Sequence, residues 1–287
     1  MDLNLIAKEI RVLLQAYRNK YQITFDEDTH TYTMLDNNGI LRNDYPSVSK
    51  VITYFHDEFD AKGKSFQMCN GDLKQQKQLL LEWKRKGDYA TNMGSRVHYE
   101  LEKYLIGLYG DFKDVRTPIF ECDEVQVSTG DKMILGGQEF IKTMHNRNAV
   151  LLDTEIVLGS PDVGYVGQPD KVWLYDNNGE LCFICTDWKS NNPKNFKVQP
   201  YTDKMYEPFN ELSSTALSHY YIQLSCYCKL IIDMLRGTKY ENIKLIGCII
   251  VLLKKEGVYE EYRVPKKVYN KILEMDIKEY MNKKRES

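Results

Sequence analysis

One stretch, residues 167–190, constrains this chain more than any other. It reads Gly167-Gln168-Pro169-Asp170, an apolar run, Asn177-Asn178-Gly179, a second apolar run, then Thr186-Asp187-Trp188-Lys189. Two apolar runs around an Asn/Gly turn predict a β-hairpin. Side chains alternate faces along a strand, so Asp187 and Lys189 share one face. An Asn177-Asn178 loop would set Asp170 opposite Cys185; an Asn178-Gly179 loop would set it opposite Asp187. Both registers put Asp170 on the face of Asp187 and Lys189, whereas a three-residue loop would reverse that parity. Two carboxylates and one ammonium then meet at one end of a strand pair. Such a set can bind a divalent metal and place a cation beside a water, which suits phosphodiester hydrolysis. Charges at strand ends are also commonplace, so the hairpin alone leaves the function open.

A chain of 287 residues has room for one large domain or two small ones, and 43% apolar content suits a folded core. The formal charge of −2 sets up no global basic field, so any nucleic-acid contact must come from local patches. Lys84-Arg85-Lys86, Lys194 with Lys197, and Lys283-Lys284-Arg285 are such patches, and each reads more readily as solvated helix or loop surface than as a contact. No apolar run is long enough to cross a bilayer, and no signal-peptide pattern opens the chain. Seven scattered cysteines predict free thiols in a reducing, cytoplasmic setting. Cys182 and Cys185 fall on opposite faces of a strand, which argues against a shared metal there.

The periodicities predict a helix over 3–19, a hairpin with arms at 22–35 and up to 44, and a short helix over 48–55 capped by Ser47. Residues 56–70 read as irregular, 72–86 and 89–109 as two helices, 111–130 as strand and loop, and 134–145 as a helix. Strands at 150–158, 164–175 and 181–189 follow, then a polar loop over 191–213 and a helix over 215–236. A strand at 244–253, a partner at 259–264 and a terminal helix over 266–283 complete the chain. The organisation is one compact unit: residues 1–88 form an N-terminal elaboration of helices and a hairpin, packed on an α/β core over 89–287.

His98 and Glu102 stand four apart on the helix over 89–109, so they project from one face. Such a pair can bind one metal, or bind a metal and orient a water. Gly94, one turn earlier, admits a close neighbour. Gln223 and Tyr227 form a second four-apart pair, able to hold a phosphate, a base or a lysine. Glu155 is a further acidic neighbour on the preceding strand.

In order, the chain presents Gly94-x3-His98-x3-Glu102, Gly167-x-x-Asp170, Asp187-x-Lys189 and Gln223-x3-Tyr227. This series resembles the RecB-like branch of the PD-(D/E)xK nuclease superfamily over residues 90–255. That superfamily has an αβββαβ core, a mixed central sheet flanked by helices. Thr29-His30-Thr31-Tyr32, Pro46-Ser47-Val48-Ser49-Lys50-Val51-Ile52 and Asp187-Trp188-Lys189-Ser190 also resemble phage-encoded exonucleases and the related mitochondrial genome maintenance exonucleases. Ser190 departs from the commoner threonine, and the cysteine spacings do not match the iron–sulfur members, so no cluster is implied.

The resemblance implies a Mg²⁺- or Mn²⁺-dependent DNA exonuclease of recombination, replication or genome maintenance. Endonuclease action, and a DNA-binding module without catalysis, stay open. Asp170, Asp187 and the Trp188 backbone carbonyl would ligate the metal, and His98 would complete that shell or help hold a second ion. Asp170, Asp187, Lys189 and Glu102 would carry the chemistry, and Gln223 and Tyr227 would position the substrate. The implied partners are DNA ends and a single-strand annealing or binding protein, with no membrane and with room for homo-oligomers. A phage-encoded chain would work in the host cytoplasm.

Overall fold

The computed structural model describes residues 1–109, 120–190, 196 and 203–286. Its centre is a mixed five-stranded sheet. The strands are β4 (Val150–Thr154), β7 (Lys171–Asn177), β8 (Glu180–Lys189), β9 (Lys244–Leu253) and β10 (Tyr259–Arg263). Their order is β10-β9-β8-β7-β4, with only the β8–β9 pair parallel. A parallel neighbour needs a crossover, and α6 (Ala216–Met234) provides it between β8 and β9. Strand β8 therefore lies in the middle of the sheet and is buried on both faces.

The two faces can be read from residue parity. Val172, Leu174, Phe183, Cys185, Ile250 and Leu252 pack under α6 and helices α1 (Leu3–Lys20) and α2 (Val48–Ile52). The C-terminal pair α7 (Lys266–Glu274) and α8 (Ile277–Glu286) joins the same core. The alternate residues Trp173, Trp188, Ile249, Val251 and Leu253 pack under α4 (Leu73–Tyr109) and α5 (Glu124–Asn146). Arg11 on α1 donates to the Leu152 carbonyl at 2.9 Å, which ties the N-terminal helix to edge strand β4. This contact also covers an otherwise open edge.

Several elements differ from expectation, each for a local reason. The helices expected at 72–86 and 89–109 are one 37-residue helix, α4, so residues 88 and 89 sit within it. Gly87 is tolerated there among strong helix formers, since an interior glycine costs only about 1 kcal/mol. Helix α5 starts at Glu124, inside the stretch expected to be strand and loop. Asp123 and Gln126 form a reciprocal capping box, whose Asp-x-x-Gln spacing is a helix-start signal. The rest of that stretch, 111–119, lies outside the described residues, as does most of the loop at 191–202, with Lys194 and Lys197. Residues expected to be irregular include α3 (Ala61–Met68), capped by Asp60. The arm at 22–35 folds back on itself as β1 (Thr24–Asp26) and β2 (Thr31–Leu35), with Asp26 accepting from the Asp28 and Thr29 amides. A short β3 (Leu41–Arg42) then pairs with β2. The terminal helix breaks at extended Met275.

The expected strands at 150–158 and 164–175 are also interrupted. β4 stops where Glu155 turns left-handed at φ 48°. The second strand breaks at Pro169, which has no N–H to donate. The freed pieces, β5 (Leu158–Ser160) and β6 (Tyr165–Gly167), pair into a separate two-stranded sheet. Lys84-Arg85-Lys86 and Lys283-Lys284-Arg285 are exposed along helices. Among the described residues, no helix is long and apolar enough to cross a membrane.

Candidate metal centre

The turn between β7 and β8 settles the hairpin register. Asn178 and Gly179 both have positive φ, 55° and 90°, as a two-residue type I′ loop requires. Lys171 therefore pairs with Thr186, and the next step along this register sets Asp170 opposite Asp187. Of the two registers left open by the sequence, the structure has the second.

Asp170 is the hub of the site. Its Oδ2 accepts from the Trp188 amide at 2.7 Å, lies 3.4 Å from His98 Nδ1 and 3.7 Å from Lys171 Nζ. Burial raises the Asp170 carboxyl, but His98, Lys171, Lys189 and the Trp188 amide outweigh it and hold the group at about 2. Burial pushes His98 the other way, down to about 4, so at neutral pH its ring is uncharged. A neutral imidazole keeps the lone pair a metal needs. The Trp188 backbone also hydrogen-bonds His98, in addition to its amide bond to Asp170.

Glu155 completes a cluster. One ligand atom each from His98, Glu155 and Asp170 lies within 4.8 Å of the others. The left-handed turn at Glu155 is locked from several sides. Its amide donates to the Asp170 carbonyl at 3.0 Å, and Gln168 Nε2 donates to the Glu155 carbonyl at 2.9 Å. Thr154 Oγ1 also donates to the Asp170 carbonyl. Strained backbone of this kind persists only where its surroundings over-determine it. Burial, then the Asp170 charge, raises the Glu155 carboxyl well above its ordinary value.

Asp187 is 3% exposed, and its Oδ2 makes no aligned hydrogen bond. Lys189 Nζ rests against that same oxygen as its ion-pair partner. Burial, then the Asp170 carboxylate, pushes Asp187 up to about 7. Lys189 is raised above its ordinary value, because Asp187 and Asp170 outweigh its own burial, and its ammonium lies 4.4 Å over the Tyr220 ring. The ligand atoms of His98, Glu155 and Asp170, gathered within 4.8 Å of one another, are a donor set that fits a divalent cation, and the Asp187 carboxylate acts on Asp170 from close by while paired with Lys189.

The other candidates take distinct places. Glu102 is half-buried and raised by burial, and feels the charges of Lys171 and Asp170. It lines a cleft of about 350 Å³ with Gly94, His98, Tyr99 and Phe120, but stands apart from the three-ligand cluster. Gln223 Nε2 donates to the Tyr227 hydroxyl at 3.1 Å, so the two are partners of each other, while Lys189 rests on Tyr220. Tyr227 packs against Gly167. A Cβ there would lie 2.6 Å from Tyr227 Cε1 and 2.7 Å from Val48 Cγ2, so only glycine lets α2 and α6 close on β6. The close neighbour of Gly94 is the Ser190 hydroxyl, 3.0 Å from where a Cβ would be.

Lys171 is the residue that sequence reading passed over. It is 1% exposed, with its ammonium 4.3 Å over the Trp188 ring. Its signal was parity: Lys171 shares the face of Trp173, a buried face, where a lysine needs a charged partner. Tyr220 carried no comparable signal. No protein-family model matches this chain, and no curated protein matches it significantly.

Proposed function

We propose that this chain is a metal-dependent deoxyribonuclease on a PD-(D/E)xK-type core, with exonuclease action favoured. The observation that carries the reading is the convergence of His98, Glu155 and Asp170 beside the buried Asp187–Lys189 pair. With the separate β5–β6 pair set aside, the order of α5, the central-sheet strands β4, β7 and β8, then α6 and β9 supports it, being the αβββαβ sequence that the resemblance calls for. Preference for DNA ends comes from the upstream likeness at residues 29–32 and 46–52.

In this reading His98, Glu155, Asp170 and Asp187 hold Mg²⁺ or Mn²⁺. When bound, such an ion polarises a phosphate oxygen and makes water a better nucleophile at neutral pH. The protein's own groups do the rest. Lys189 is charged and fixed by Asp187, so it can neutralise charge building on the phosphate. Trp188 holds Asp170 through its amide, which keeps a carboxylate oriented without solvent. Gln223 and Tyr227, locked to each other, shape the wall of the site on the α6 side. Glu102 lies near enough to bias the charge of the cluster.

The test compares end-labelled linear DNA with a covalently closed circle, in Mg²⁺ or Mn²⁺ and in chelator. The expected result is metal-dependent loss of the linear substrate with the circle intact. A degraded circle would refute exonuclease action. Unchanged DNA in every condition would refute the nuclease reading.

A further inference from the structure

We propose that Lys171 is a built-in counter-cation that limits this site to one divalent ion; the proposal rests on the metal-site reading above. The first support is position. Lys171 Nζ is 3.7 Å from Asp170 Oδ2, the same oxygen that takes the Trp188 amide and faces His98. A second metal drawing on that oxygen would have to displace the ammonium. The side chain has no route to solvent, because it is 1% exposed and its head group lies 4.3 Å over the Trp188 ring. A surface lysine could swing aside at little cost, but this one cannot.

The second support is charge. The carboxylates whose charges act on Lys171 are Asp170, Glu155, Asp187 and Glu102. Two ammonium groups, Lys171 and Lys189, face these carboxylates. Like charges close together in a buried site exclude one another strongly, so the Lys171 ammonium opposes any ion at Asp170 beyond the one that His98, Glu155 and Asp170 together can hold. Without that ammonium the opposing charge is gone and the vacated space adjoins Asp170. Lys171 is thus a positioning residue: it acts on Asp170 and on metal stoichiometry, without touching substrate.

The test is calorimetric titration of Mn²⁺ into the chelator-stripped full chain near neutral pH, paired with electron paramagnetic resonance. Wild type should bind one ion per chain with an uncoupled spectrum. Lys171→Met, of similar length and without charge, should bind two, with the line broadening of neighbouring spins. If that variant fails to give native circular dichroism, Lys171→Gln takes its place, with the same expectation. A folded neutral variant that still binds one ion overturns the proposal, as does a wild type that binds two or none. Cleavage is not the readout. A wild type that binds one ion yet leaves DNA intact would remove the nuclease reading and leave the role of Lys171 standing.

Discussion

Asp187→Asn should make the metal-free protein more stable, although it removes a charged residue from an ion pair. Burial and the neighbouring Asp170 push this carboxyl from 3.8 to about 7. At 1.36 kcal/mol per unit, ionising it in the folded state costs about 4 kcal/mol more than in the unfolded chain. Between about pH 4 and 7 the unfolded state has lost this proton while the folded state keeps it, so stability falls as pH rises through that window. Above 7 the full cost is present. Asparagine mimics the protonated form and removes the cost, less whatever its weaker contact with Lys189 forfeits. A net gain of about 2–4 kcal/mol is expected near pH 8, or roughly 5–10 °C in Tm for a chain of this size. The measurement is thermal unfolding of both proteins in chelator, at about pH 5 and 8. The gap should shrink to less than half at the lower pH, because wild-type Asp187 is then mostly protonated when folded. Adding Mn²⁺ should raise the wild-type Tm and leave the variant nearly unchanged. A variant less stable than wild type at pH 8, or a gap independent of pH, would show that Asp187 is not held at that cost.

The same substitution at Asp170 should have the opposite sign. Its carboxyl is held at about 2, so it contributes about 2–3 kcal/mol that is present above pH 4 and lost as pH falls towards 2. Asp170→Asn also leaves the Trp188 amide and Lys171 without a charged acceptor, and the urea midpoint at pH 7 should fall accordingly; an unchanged midpoint would contradict the hub role. Gly167→Ala forces a Cβ to 2.6 Å from Tyr227 and 2.7 Å from Val48. It should cost about 1–3 kcal/mol through overpacking, seen as a lower Tm at every pH, and a Tm equal to wild type would mean the α2–α6 contact yields freely.

Local patterns carried much of this architecture. The Asn177-Asn178-Gly179 turn is readable because only residues at ease with positive φ can make a two-residue hairpin loop, and either two-residue choice keeps Asp170 on the face of Asp187 and Lys189. Asp170, Asp187 and Lys189 could be placed together on that basis alone. The Asp123-x-x-Gln126 box is equally legible as a helix start, and the helix it begins at Glu124 lies inside the stretch expected to be strand and loop. The continuity of α4 was not legible. A polar stretch followed by Gly87 looks like a boundary until the packing of Val97, Leu101 and Leu105 on α5 and the sheet holds the lower half in place.

Glu155 marks the limit of sequence reading for the site. Glutamate has no intrinsic preference for the left-handed region, so nothing local announces that the chain turns there. The turn follows from hydrogen bonds to Asp170 and Gln168, residues more than ten positions away, and it directs the carboxylate towards His98. The strand parity that puts Asp170 on the face of Asp187 and Lys189, and the helical faces of His98 and Gln223, are readable from the sequence, because each depends on periodicities that span a few residues; the choice between the two registers is not. That α4 approaches from one side of β8 and α6 from the other is a decision made by long-range packing alone. With that decision came the burial that holds His98 neutral, raises Asp187 and confines Lys171 between Asp170 and Trp188. Those properties arise from desolvation by distant segments, and no single segment encodes its own desolvation.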